Sequence, residues 1–418
     1  MRHVIVGNGA AGVAAADAIR RCDAGAQIVM LSDEPYPAYY RPILPFLLYD
    51  APESQNLYRD TLHTPREVDA RPGARVCAIL SNERAIILET GERLSYDKLL
   101  LATGASSARP PIPGLDGPGV YGLRTLDDAM GLKAAAEKGG RAVVIGGGRI
   151  GVKTALALRH LNIPVTIVEM LQWIIPLQFD AEVAPIFESA LRDQGIQMRF
   201  GHSAREITRR KGKIESVQLD DGTQLPADFA IVAAGVRANL ELARAAGIAT
   251  RRGILVNTRL ETSVLGIYAA GDVVETRDVA TGDAIVSGIW TNAVAMGQVA
   301  GENMAGRLRE YEGAFSLLNA MDLAGIPVIS VGLINPPEGA GYQVSATRRG
   351  AIYRKLVFKE ERLVGMVLAG DIRRAGFYAS MIREHADTRR SREAILDNTY
   401  SYAHCLQHVL PHVEGFLF

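Results

Sequence analysis

Gly7-Asn8-Gly9-Ala10-Ala11-Gly12 is the stretch on which the fold turns. It has the form G-x-G-x-x-G. A short apolar run, Val4-Ile5-Val6, precedes it, and an alanine-rich helical pattern follows from Ala10 to Arg21. Glycines at these places let the backbone approach a pyrophosphate closely, and the N-terminus of the following helix offers amides and partial positive charge to it. A second apolar run, Gln27 to Leu31, ends at Ser32-Asp33, so Asp33 follows Gly12 by 21 residues. A carboxylate there can accept hydrogen bonds from ribose hydroxyls. Taken alone, such a loop is a weak signal, since a tight turn in an unrelated α/β protein has the same form.

Further along, the plan recurs. Ala142 to Ile145 reads as a strand, Gly146-Gly147-Gly148-Arg149-Ile150-Gly151 as a second glycine loop, Ile150 to Leu161 as a helix and Val165 to Val168 as a strand. Glu169 follows Gly151 by 18 residues. Two such units in one chain predict two dinucleotide sites. A carboxylate in Glu169's place hydrogen-bonds a bare 2′-hydroxyl and repels a 2′-phosphate, which favours NADH over NADPH. Arg149, inside the loop, is in a position to soften that preference.

The remaining pattern fills in around these units. Four prolines and three tyrosines between Pro35 and Pro45 argue for a shaped loop without regular structure. Strands are expected at Val76–Leu80, Ala85–Leu88 and Lys98–Ala102, the last closed by Thr103-Gly104. Pro110 to Gly114 reads as a stiff boundary. Phe229–Ala233 runs into Ala234-Gly235, and Gly266 to Asp272 is another strand entering a glycine turn. A helix is expected from about Trp290 to Leu308. The last hundred residues alternate strands (327–331, 352–358, 362–368) with a helical stretch at 375–384, which predicts a separate α+β domain.

Composition is that of a globular protein, with 48% hydrophobic and 22% charged residues. Basic and acidic residues balance at 46 each, so no overall field draws the chain to nucleic acid or membrane. No apolar stretch approaches the ~18 residues of a membrane span. No charged leader or cleavage site precedes the first strand, and the cysteines Cys22, Cys77 and Cys405 form no motif. A cytoplasmic location is therefore expected.

The chain resembles the FAD/NAD-linked reductases of the pyridine-nucleotide–disulfide oxidoreductase superfamily. Within it, the likeness is greatest to ferredoxin and rubredoxin reductases and the NADH-binding part of nitrite reductase. Its carriers are both glycine loops, Tyr40-Arg41-Pro42, Ala102-Thr103-Gly104, Ala234-Gly235, Gly271-Asp272, Trp290-Thr291-Asn292-Ala293 and the stretch from Gly297 to Gly301. The resemblance implies two Rossmann-like α/β domains and a C-terminal α+β domain. The FAD domain is split over 1–112 and 248–316, the NAD domain occupies 113–247, and 317–418 form an interface or docking domain.

It also implies that FAD is touched by Gly7, Gly9, Ala11, Gly12, Asp33, Glu34, Arg41, Pro42, Ala102, Thr103, Gly104, Gly271, Asp272, Trp290 and Thr291. NAD(H) falls to Gly146, Gly148, Arg149, Ile150, Gly151, Glu169 and Gly235. Arg41 suits a phosphate, Asp272 suits ribityl hydroxyls, and the helix opened by Trp290 and Thr291 would aim its amides at the flavin ring. Simple packing is the plainer reading of Trp290.

Two departures narrow the chemistry. Disulfide reductases of this superfamily carry a redox cysteine after the first unit, whereas this chain has Tyr39-Tyr40-Arg41-Pro42-Ile43-Leu44-Pro45-Phe46 there. Relatives also pair a lysine at the position of Phe46 with a glutamate at that of Lys153. Replacing both is coherent, because either charge left buried alone is costly. Lys153 then becomes a cation beside the flavin that stabilises its reduced anionic form, or simply a solvated side chain.

The expected function is electron exchange between NAD(H) and an iron–sulfur protein, or iron–sulfur subunits of a larger complex such as a 2-oxoacid oxidoreductase. A homodimer or a multi-subunit assembly would both suit it. The rivals are a peroxide-forming NADH oxidase or nitrite-reductase-like diaphorase and, in another class, an NADH-sensing flavin-bound interaction protein. Arg373, Arg374, Arg383, Arg389, Arg390 and Arg392 form either a solvated face or a docking patch for an acidic partner. His404 and His408, at i and i+4, lack a third ligand for a metal.

Overall fold

A computed structural model describes residues 1–58 and 67–399. Cys405, His404 and His408 lie outside them. Five parallel strands form the first sheet, in the order Ile267–Ala269, Lys98–Leu101, Arg2–Val6, Gln27–Ser32, Val68–Pro72. Four of its strands are mostly buried and apolar, as parallel strands covered on two sides must be, while the edge strand Val68–Pro72 is largely exposed. The second sheet repeats this arrangement with Val120–Tyr121, Phe229–Val232, Ala142–Ile145, Val165–Glu169 and Ile196–Phe200. In each, the strand before the glycine loop is central, its successor lies on one side, and the strand leading to Thr103-Gly104 or Ala234-Gly235 lies on the other.

The two units are stitched together just beyond those glycines. Ala105–Ser107 pairs antiparallel with Val236–Ala238. Asn239 reinforces the crossing: its Nδ2 donates to the Thr103 carbonyl at 2.8 Å, and the Ser106 hydroxyl donates to its Oδ1 at 2.8 Å.

Residues 318–369 form a third, wholly antiparallel sheet of five strands. This sheet is less separate than the sequence pattern predicts. Leu323, Val328, Tyr353, Val367 and Ala369 belong to the same apolar core as Val152, Ile167 and Phe187 of the second unit. Leu356, Phe358 and Met366 pack instead with the helix Ala375–Arg383. A buried ion pair crosses the shared side, with Lys355 Nζ on Asp180 at 2.7 Å and the Tyr353 hydroxyl donating to the same carboxylate.

Two local expectations are corrected. The 35–45 stretch is not irregular throughout, because Arg41–Ile43 forms a 3-10 turn and Leu44–Leu47 a helical turn. Pro42 and Pro45 each sit in a first turn, where a missing N–H costs nothing. The late helix ends at Met304, not Leu308. Gly306 takes a left-handed conformation there, and the Asn303 side chain is turned onto the Val299, Arg259 and Arg309 carbonyls. No helix among the described residues is long and apolar enough to cross a membrane.

Candidate functional site

Both glycine loops have the shape that a pyrophosphate needs. A Cβ on Gly7 would be driven into the Ala102 carbonyl, and one on Gly12 into the carbonyl of Gly7. Gly146 and Gly151 stand likewise against the Ala233 and Gly146 carbonyls. Gly9 and Gly148, the second glycine of each loop, face open space and have no side-chain cap on the helices they begin. The first-turn amides of Ala10–Cys22 and Arg149–His160 are therefore free of side-chain caps, as a bound pyrophosphate requires. The residues present fit the two nucleotides.

The acids after the two second strands differ. Asp33 is exposed, while Glu34 beside it accepts from the Tyr39 hydroxyl at 2.6 Å and pairs with Arg41. Glu169 is buried at 7% exposure, and its carboxylate accepts from the amides of Gly147 at 2.7 Å and Leu171 at 2.9 Å. The second unit thus carries a carboxylate already oriented against its glycine loop.

Gly297 and Gly301 explain why the helix Trp290–Met304 reaches the first loop. Their missing Cβ atoms would strike the Ala11 and Ala15 carbonyls, so the two helices lie in backbone contact. Ala11 in turn sits against Gly271. The Trp290 helix has no side-chain cap, and Thr291 is exposed in its first turn. Trp290 also meets Tyr40 edge to face, ring centroids 4.8 Å apart, so it packs and lines the cleft together. The uncapped amides fit a ring that gains negative charge.

Arg41 and Asp272 are less free than expected. Arg41 donates to Glu34, the Tyr39 hydroxyl and the Arg124 carbonyl. One oxygen of Asp272 accepts from Arg124 at 2.8 Å. Arg124 belongs to no motif and was not foreseen. The only nearby signal is Thr125-Leu126-Asp127-Asp128, which the structure uses as a capping box.

Lys153 does not simply face water. It is half-buried, with its Nζ 5.9 Å from the centre of the Phe46 ring. Burial, and then the charge of Arg149, lower its pKa. Arg149 does not settle on the ribose end of its loop. It donates to Asn319 of the third sheet at 3.0 Å, and burial lowers its pKa while the charge of Asp272 opposes that. Ile150 is exposed beside it, and Gly235 takes a left-handed φ of 96° in open space.

Two of the six arginines of the patch are paired with an acid, and two more lie over aromatic rings. Arg373 pairs with Asp371 and Arg389 with Asp387, while Arg383 and Arg392 stack on Phe315 and Phe358. Cys22 and Cys77 are free and exposed; Cys22 ends the helix that the first glycine loop opens, and neither lies in the Tyr39–Phe46 segment. One exposed group, His202 with Asp220 and Asp221, gathers metal-type ligands, and no ion is needed to explain it, because His202 hydrogen-bonds Asp220 directly at 3.2 Å.

Comparison with known proteins agrees with this geometry. The family model described as "Pyridine nucleotide-disulphide oxidoreductase" matches residues 1–297, and that of the "Rubredoxin NAD+ reductase C-terminal domain" matches 318–386. The NADH-dependent phenylglyoxylate dehydrogenase subunit epsilon of Aromatoleum evansii is 33% identical over 404 residues, covering 95% of each chain. The assimilatory nitrate reductase electron transfer subunit of Bacillus subtilis is 31% identical over 376 residues. That match takes in 89% of this chain but about half, 48%, of the relative. A ferredoxin reductase from Rhodopseudomonas palustris superposes with a TM-score of 0.83 at 26% identity, over 92% of this chain and 95% of that one.

Proposed function

The chain belongs to the pyridine nucleotide-disulphide oxidoreductase family, and from that premise we propose that it carries electrons between NAD(H) and an iron–sulfur protein or the iron–sulfur subunits of a larger complex. It is an FAD-dependent NAD(P)H oxidoreductase of the ferredoxin and rubredoxin reductase type. Bound together, FAD and a nicotinamide nucleotide supply hydride exchange between their rings and single-electron exchange with an external centre.

This chain's residues hold and tune those groups. The 7–12 loop takes the FAD pyrophosphate, with Asp33, Glu34, Arg41, Pro42, Ala102, Thr103, Gly104, Gly271 and Asp272 around it. The 146–151 loop takes that of the nicotinamide nucleotide, and Glu169 favours NADH through the 2′-hydroxyl. The Trp290 helix presents uncapped amides to the flavin ring. Lys153 adds a desolvated cation from the opposite unit, which favours the ring's reduced, anionic form.

The observation that carries the choice of acceptor is what stands at the end of the Tyr39–Phe46 segment. Phe46 and Lys153 meet there, and the segment holds no thiol, so it offers no cysteine relay for passing electrons to a disulfide. An external carrier fits that arrangement, and cytoplasmic residence goes with it. The likeness to an epsilon subunit along nearly its whole length supports work within a larger assembly. Measuring NADH turnover with a ferredoxin-type acceptor against oxygen alone tests the reading. Fast reduction of the iron–sulfur protein is expected; equal rates, with peroxide formed from oxygen, would make it an oxidase. Native mass spectrometry of what co-purifies tests the assembly, and a bare homodimer would count against subunits.

A further inference from the structure

Arg149 and Lys153 stand one turn apart at the start of the helix Arg149–His160, and each reaches beyond its own unit, Arg149 to Asn319 and Lys153 to Phe46. Lys153 reaches Phe46 of the first unit, and Arg149 lies near enough to Asp272 to feel its charge. Lys153 thus crosses from the second unit to the first, and on the proposed function it stands on the side where the two nucleotides would bring their rings together. Among the described residues, no carboxylate pairs with either cation, and the carboxylate of Asp272 is already engaged by Arg124.

The direction of Arg149 is fixed from outside. Asn319 Oδ1 accepts from its guanidinium at 3.0 Å, and Asn319 Nδ2 donates to Gln178 Oε1 at 2.9 Å. Gln178 is 6% exposed, and its carbonyl accepts from the Ser330 hydroxyl. Its amide donates to Ile175, whose own amide donates to the Gly147 carbonyl at 2.8 Å. A ring of hydrogen bonds thus leaves the glycine loop at Gly147, passes through the third sheet and returns at Arg149. Ile175 has a left-handed φ of 48°, a costly state for a β-branched residue that the surrounding bonds must hold.

We propose that Arg149, oriented by the Gln178–Asn319 relay, forms with Lys153 a doubly positive face that makes the site select the neutral, reduced nicotinamide ring over the positively charged oxidised one. The inference rests on reading the 146–151 loop as the nicotinamide nucleotide site. Like charges brought together in a partly desolvated cleft repel, and only the oxidised ring carries one. Such a face speeds loss of NAD+ after NADH has reacted.

Equilibrium titration of the oxidised holoenzyme with NAD+ and with tetrahydro-NAD, a neutral-ring analogue that cannot give up hydride, tests this through the flavin absorbance. Wild type is expected to bind the analogue about tenfold more tightly or better. Arg149→Gln should narrow that ratio several-fold by tightening NAD+, Asn319→Ala should narrow it in part, and Arg149→Lys should restore it. A wild-type ratio near one, or a ratio unmoved in Arg149→Gln with the melting temperature retained, overturns the proposal. If neither ligand binds, the nicotinamide-site reading falls and this inference with it; tight but equal binding removes the preference alone.

Discussion

The two glycine-loop units share strand order, loop form and an uncapped helix start, yet they differ in what surrounds each loop. The first is closed in by its own later chain, since Gly297 and Gly301 bring the Trp290 helix onto Ala11 and Ala15. The second is closed in by a different sheet, through Asn319, Gln178 and the Asp180–Lys355 pair. The acids follow suit, with Asp33 exposed and Glu169 buried against two amides. One unit is built as a fixed seat, and the other is wired to a neighbour.

The largest effect expected is a separation of the two loops. Gly12→Ala drives a methyl group into the Gly7 carbonyl and should give protein purified without flavin absorbance. Gly151→Ala should leave a yellow protein whose flavin NADH no longer reduces efficiently. If both variants lose flavin, the units are not independent.

The central strands offer a second contrast. His3 and Ala142 occupy equivalent places four residues before the first glycine, and both are buried. Among the described residues, neither ring nitrogen of His3 has a hydrogen-bond partner, and burial lowers its pKa to about 4. Because the unfolded chain binds the proton more readily, stability is full above the ordinary pKa of ~6.5 and falls as the pH drops from there through 4. The loss is on the order of 3 kcal/mol. Chemical denaturation across that range should show His3→Ala with a flatter acid limb than wild type, and parallel limbs would refute it.

Glu169→Gln should reduce the NADH preference over NADPH by about tenfold in kcat/KM. Asp33→Asn should change nucleotide choice little, and an equal effect from both would erase the contrast between the acids. The smallest expected change follows Lys153→Met. Removing the cation should lower the flavin potential, with a cost of about 1 kcal/mol to the reduced form. An unchanged potential in a dye-linked titration would leave Lys153 without its role.

Much of this was legible in the chain. The glycine loops, their flanking strands and the acids at Asp33 and Glu169 are local patterns, fixed by backbone geometry within some thirty residues. The end of the Trp290 helix was misplaced because Asn303 draws it shut with carbonyls from distant turns. The Pro35–Pro45 segment reads as irregular because prolines break helices in general, and only their first-turn placement reverses that. Arg124 and Asn239 were missed because each acts on a partner far away in sequence, Asp272 and Thr103.

The sequence by itself determined that two dinucleotides are held and that the Tyr39–Phe46 segment has no cysteine, since both depend on residue identities at short spacing. Only the tertiary structure decided where Arg149 points, that Lys153 rests by Phe46, and that the third sheet shares the second unit's core. Those outcomes depend on long side chains meeting across the cleft between units, and no local pattern encodes such a meeting.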